Sequence, residues 1–349
     1  MKILLTGDYF YNYKTEHKDF SILKSLLSSY DACVLNWEGS FKVGDKDRLT
    51  KSVNLEFSSQ GINLPVNSIL SLSNNHVYDF GVQGLEKTIK AIEQKQYKWF
   101  GLQSNVNTFD NFKIISIKDV KICFVGFGWE NEECKLPTTK ALGVSNFTKD
   151  NIDSTFNNIK KVDYDLLICY CHAGYEFEYY PLPLHVGLSR YLIDQGCDFV
   201  YFSHTHTIQP YEMYNEKYIF YGLGNFYLSN LRPLYPKISD KGIVLEIVIE
   251  NKMISNVKPI DILYNRNDMQ TTYEIHSNYM GTHNFGYQSL QSYSEDYNKI
   301  RTRKKNPRPI MYFDRPILNS IKYNLWLFIV KITGILKLRK FIKILLGWN

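Results

Sequence analysis

Five short apolar runs along the chain each stop abruptly at polar residues. Lys2 to Thr6, Ala32 to Leu35, Ser68 to Ser73, Leu166 to Cys171 and Phe199 to Ser203 are too short for helices and carry few charges. Their length and composition predict short strands with little exposed surface. Between and after them, helical segments are expected over Gly81 to Gln94, Asp150 to Lys160 and Leu184 to Gln195, and two more strands between Gly242 and Tyr264. Strands alternating with helices predict an α/β core.

The residues that end the strands carry the chemistry. They are Gly7-Asp8, Asn36-Trp37-Glu38, Asn74-Asn75-His76, His172, and His204-Thr205-His206. Ligands of open α/β sheets bind at the carboxyl ends of strands, where all five motifs fall. Each has an ordinary reading alone: Gly-Asp is a common turn, and His-x-His in a strand puts two histidines on one face. Together they make a donor set for two divalent ions. Two cations about 3.5 to 4 Å apart repel, so a carboxylate must bridge them while imidazoles and an amide oxygen complete the shells. Asp8 and Glu38 can supply carboxylates, Asn75 the amide oxygen, and His172, His204 and His206 the imidazoles. This mixed set suits Mn, Fe or Zn without selecting among them.

The stretches Ser73-Asn74-Asn75-His76-Val77-Tyr78-Asp79-Phe80-Gly81, His172-Ala173-Gly174-Tyr175-Glu176-Phe177, Ser203-His204-Thr205-His206-Thr207-Ile208-Gln209-Pro210 and Tyr221-Gly222-Leu223-Gly224-Asn225-Phe226 resemble the capsule-synthesis CapA or PgsA-like family. That family belongs to the calcineurin-like metallophosphatase superfamily, and the resemblance covers about residues 1 to 250. It implies an α/β fold, a metallophosphatase-like sandwich of two mixed β-sheets flanked by helices. It also implies roles. Asp8 would hold the first metal, Glu38 would bridge, Asn75, His172 and His204 would hold the second metal, and His206 would return to the first. His76 would face the substrate as a general acid or as a stabiliser of phosphoryl charge. Asn36, Asn74, Asp79, Glu176 and Asn225 would surround the site, toward the substrate or behind the ligands. One departure is plain: many metallophosphatases have Asp-x-His on the first strand, whereas Phe10 stands two residues after Asp8 and cannot coordinate.

Composition changes the picture at two places. The six cysteines form no metal-type Cys-x-x-Cys pair, and Cys169 and Cys171 alternate within one strand, as small core residues do. The net charge of +6 is divided unevenly, because from Lys299 onward basic residues face the single acid Asp314. The core is therefore acidic and the tail basic. Residues 1–264 read as the metallophosphatase-fold domain, 265–316 as a polar then basic linker, and 317–349 as a basic amphipathic helix. In that helix Ile335, Leu338, Phe341, Ile342, Leu345 and Leu346 share one face, and Lys337, Arg339, Lys340 and Lys343 the other. Charges recur too often for a membrane span, so an anionic membrane surface is the expected partner, with a packed helix as the alternative. The run Arg301-Thr302-Arg303-Lys304-Lys305 gives non-specific phosphate attraction only, so no specific nucleic-acid partner is expected.

The chain begins its first strand at once, which predicts a cytoplasmic protein peripheral to the inner face of the plasma membrane. The resemblance to the CapA or PgsA-like family implies a place in capsule or surface-polymer synthesis, and the expected function there is dinuclear-metal-dependent hydrolysis of a phosphoester, the substrate being a phosphorylated or lipid-linked glycan or polymer intermediate. The alternative is a non-catalytic accessory protein that binds polymer or assembly machinery.

Overall fold

The computed structural model describes residues 1–12, 18–44, 54–105, 110–228, 237–264, 273–276 and 289–300. The strands are β1 (Lys2–Phe10), β2 (Ala32–Trp37), β3 (Ser68–Ser71), β4 (Lys98–Phe100), β5 (Leu102–Gln103) and β6 (Phe112–Ile117). Then follow β7 (Val120–Gly128), β8 (Gly143–Val144), β9 (Leu166–His172), β10 (Phe199–Ser203), β11 (Tyr211–Tyr214) and β12 (Lys217–Phe220). The last are β13 (Asn225–Leu228), β14 (Lys241–Glu250), β15 (Met253–Tyr264) and β16 (Tyr273–His276). The helices are α1 (Lys18–Ser28), α2 (Gly81–Gln94), α3 (Lys149–Ile159), α4 (Pro183–Asp194) and α5 (Leu290–Ile300).

Two mixed sheets form the body. One runs β16-β15-β14-β1-β2-β3-β4, with β13 also pairing to β1, and the other β11-β12-β10-β9-β7-β6. The strands that carry the polar motifs are parallel neighbours: β1, β2 and β3 in the first sheet, β9 and β10 in the second. Their carboxyl ends therefore lie side by side.

Side-chain alternation builds a layered core. Ile3 and Leu5 of β1, Val34 of β2, Phe124 of β7, and Ile168 and Tyr170 of β9 lie in one buried cluster between the sheets. The intervening residues point outward. Leu4 and Leu35 meet Phe20, Leu23 and Leu27 of α1 and Leu85 and Ile92 of α2. Leu167, Cys169 and Cys171 meet Ile152 and Phe156 of α3 and Val186 and Leu192 of α4. Each such aliphatic side chain, fully buried, stabilises by about 1.5–3 kcal/mol. The result is the expected sandwich of two mixed β-sheets with helices outside. All six cysteines are free and buried.

Several boundaries differ from the expected ones, and the larger strand differences fall at the site. β1 runs to Phe10 because pairing with β2 resumes after a register shift between Leu5 and Asp8 and β13 pairs as far as Phe10. Parallel pairing likewise carries β2 to Trp37 and β9 to His172. β3 instead stops at Ser71, where the chain turns: the Asn74 N–H donates to the Leu72 carbonyl oxygen at 3.0 Å, and the Ser73 hydroxyl donates to the Gly101 carbonyl oxygen at 2.7 Å. Within the polar stretch 265–298, β16 extends the first sheet beside β15. Further on, α5 packs beside α4 and buries Tyr293 and Tyr297 in the cluster outside the second sheet. The tail 317–349 lies outside the described residues. Among the described residues, no helix is long and apolar enough to cross a membrane.

Candidate metal centre

Asp8 is the hub. On β1 it stands in register with Asn36 of β2 on one side and Asn225 of β13 on the other. Gly7 makes this crowding possible: a Cβ there would sit 2.2 Å from the Gly224 carbonyl oxygen. The Asn36 amide donates to Asp8 Oδ1 at 2.8 Å, and the His204 backbone N–H donates to Oδ2 at 3.3 Å. Glu38, one residue past β2, is tied back by its N–H to the Tyr9 carbonyl oxygen at 3.0 Å. Ligand atoms of Asp8, Glu38 and His206 all lie within 4.8 Å of one another, and all three residues are buried.

A second set lies against the first. Asn75 Oδ1 is 2.9 Å from His172 Nε2, and His204 Nδ1 is 3.1 Å from the same nitrogen. The other edge of the His172 ring faces the Tyr170 hydroxyl at 3.0 Å and Asp8 Oδ1 at 3.8 Å. His206 Nδ1 lies 2.7 Å from Asn225 Oδ1 and 3.4 Å from Asp8 Oδ2. The backbones of His204 and His206 take φ values of 90° and 55°. Non-glycine residues in this region cost about 1–3 kcal/mol each, and such strain collects at functional sites.

Polar side chains link the ligand motifs. Asn74 Nδ2 donates to Asn36 Oδ1 at 2.9 Å and to the Trp37 carbonyl oxygen at 2.8 Å, while Asn74 Oδ1 accepts from the His76 N–H at 3.0 Å. His76 Nδ1 is 2.7 Å from Asp79 Oδ2, and its Nε2 is 3.9 Å from Glu38 Oε1. Glu176 is half-buried on the loop after β9. Phe10 packs edge-on to Phe57, with ring centroids 5.5 Å apart, in the outer core rather than the centre.

The residues fit divalent ions. Two buried carboxylates, an amide oxygen and three imidazoles converge, and unneutralised buried charge is costly. Burial opposes a proton on His204, yet Glu132, Glu176 and Asp8 outweigh it and hold its pKa above the ordinary histidine value. That negative field would also attract metal cations.

The structure thus brings together Asp8, Glu38, Asn75, His172, His204 and His206, with Asn36, Asn74, His76, Asp79 and Asn225 around them. Sequence reasoning missed Glu132, whose Oε2 lies 3.7 Å from His204 Nε2. Its signal was present: the acidic run Glu130-Asn131-Glu132-Glu133 follows the carboxyl end of β7, as the other motifs follow their strands.

A family model described as bacterial capsule synthesis protein PGA_cap matches residues 3–230. The chain belongs to this family. Relatives include the capsule biosynthesis protein CapA of Bacillus anthracis, 28% identical over 46% of this chain and 39% of that protein. The PGA biosynthesis protein CapA of Bacillus subtilis (strain 168) is 25% identical over 55% of this chain and 50% of that protein. The chain thus spans half or less of the length of these relatives. Among solved structures, a 5'-nucleotidase precursor from Thermus thermophilus is similar at 11% identity and a TM-score of 0.48, covering 75% of this chain and 54% of that one.

Proposed function

We propose that the chain is a metal-dependent phosphoester hydrolase of bacterial capsule or surface-polymer synthesis, acting on a phosphorylated or lipid-linked glycan or polymer intermediate. The observation that carries this reading is the meeting of Asp8, Glu38 and His206 within 4.8 Å, beside Asn75, His172 and His204. Asp8, Glu38 and His206 would hold one ion, and Asn75, His172 and His204 a second, with Glu38 between them. When bound, divalent ions supply Lewis acidity toward phosphoryl oxygens and lower the pKa of water. The chain itself would add a proton donor. His76 offers Nε2 toward the site while Asp79 holds Nδ1, so the ring is oriented to protonate a leaving oxygen.

Turnover of a phosphoester panel with manganese, iron or zinc tests the reading, using His206→Ala as control. Hydrolysis that disappears in a folded His206→Ala protein supports an enzyme. A wild-type protein that binds metal and polymer but hydrolyses nothing on the panel supports the accessory role instead.

The basic residues after Lys299 support attachment of this protein to an anionic membrane surface. Binding to anionic liposomes that weakens with salt, without comparable binding to DNA, is the expected result. Salt-sensitive binding to DNA alone contradicts it.

A further inference from the structure

We propose that Glu132 is a positioning residue of the candidate metal centre: its carboxylate is placed to accept the Nε2–H of His204 when a metal is bound, and so to fix that ring to ligate through Nδ1. The inference rests on the reading that Asn75, His172 and His204 hold a divalent ion.

The two nitrogens of His204 face different surroundings. Nδ1 is 3.1 Å from His172 Nε2, inside the ligand set. Nε2 is buried and makes no hydrogen bond among the described residues, and Glu132 Oε2 stands 3.7 Å from it. At 3.7 Å the carboxylate stands just beyond hydrogen-bond reach, and the proposed bond needs the two groups to approach to about 3 Å. A carboxylate on the far nitrogen of a metal-bound imidazole fixes the tautomer and ring orientation and makes the ligand more basic. Its loss costs about 10–100-fold in metal affinity.

Glu132 is held in place by the site's own scaffold. The Trp129 N–H donates to the His172 carbonyl oxygen at 3.1 Å, and the Glu132 N–H donates to the Trp129 carbonyl oxygen at 3.1 Å. The turn that carries Glu132 is therefore pinned to the residue that supplies another proposed ligand. Asn146 braces the turn by accepting from the Glu130 N–H at 3.1 Å and donating to Glu130 Oε2 at 3.2 Å. Trp129 packs edge-on to His185 with ring centroids 4.6 Å apart, and Glu133 closes the turn at φ 70°. A carboxylate buried at such a point, 8% exposed, is costly unless it has charged or hydrogen-bonding partners.

The test is metal binding to the full chain, by calorimetric titration with manganese and by the visible spectrum of the cobalt-loaded protein. Wild type should bind two ions. Glu132→Ala should bind one of them about 10–100-fold more weakly, with a shifted cobalt spectrum and an unchanged melting temperature without metal. Glu132→Gln, which can accept a hydrogen bond but carries no charge, should bind that ion with an affinity between wild type and Glu132→Ala, and its cobalt spectrum should be shifted less than that of Glu132→Ala. Wild-type affinity and spectrum in Glu132→Ala overturn the proposal and leave the two-ion reading intact. If Glu132→Ala does not fold, the same result in Glu132→Gln overturns it. A wild-type chain that binds no ion overturns both.

Discussion

His76 and Asp79, three residues apart, are joined at 2.7 Å between Nδ1 and Oδ2. Asp79 Oδ2 also accepts the Leu55 N–H at 2.6 Å, so the carboxylate that orients the imidazole is itself anchored. The ring then presents Nε2 to the centre. His76→Ala should keep its metal and lose about 10²–10⁴-fold in kcat. Asp79→Asn should lose less, because it frees the ring's orientation without removing the ring. Steady-state kinetics on metal-replete protein checks both, and unchanged turnover in His76→Ala contradicts the assignment.

His185 predicts a pH dependence of stability. Burial, assisted by His204, pushes its pKa from 6.5 down to about 3, and its ring is surrounded by Trp129, Phe147 and Phe202. Between those values the unfolded chain binds a proton that the folded chain does not. Stability from this group is therefore full above pH 6.5 and is lost as pH falls toward 3, by about 1.4 kcal/mol per unit. His185→Phe should flatten the slope of urea stability against pH in this range. An unaltered slope would show that other groups set it.

The close approach of β1 to the chain before β13 predicts that Gly7→Ala is disruptive. The added Cβ would meet the Gly224 carbonyl oxygen at 2.2 Å, which only backbone movement can relieve. A loss of about 1–3 kcal/mol in urea unfolding is expected, together with weaker metal binding because Asp8 is the next residue. Wild-type stability would mean that the two segments separate at little cost.

Much of this architecture was legible along the chain. Phe199–Ser203 and Gly81–Gln94 begin and end where periodicity places them, since one is a buried apolar run and the other an amphipathic repeat. The polar motifs that converge at the candidate site were legible because each interrupts a hydrophobic run with residues that have no reason to be buried there. Non-local pairing was not. Nothing local in Asn225–Leu228 says that it lies parallel to β1, and that pairing brings Asn225 to Asp8 and His206. α5 escaped notice because its buried side is made by Tyr293 and Tyr297, one turn apart in an otherwise polar stretch. Tyrosine serves on surfaces and in cores alike, and only packing beside α4, with the Tyr293 hydroxyl donating to the Pro181 carbonyl oxygen, decides between them.

Asn36 should prove structural as well as functional. It donates to Asp8 Oδ1 and accepts from Asn74 Nδ2, so Asn36→Leu leaves two buried polar groups without those bonds. Each such group costs about 1–3 kcal/mol. Thermal melting of the metal-free protein should show the loss, and a neutral result would mean that the Asp8 and Asn74 side chains find other partners.

Metal stoichiometry tests the central claim most directly. Elemental mass spectrometry on the chain purified without chelators and supplied with manganese, iron or zinc should find about two ions per chain. The folded His204→Ala variant should hold fewer. A wild-type chain that stays metal-free under these conditions would contradict the account.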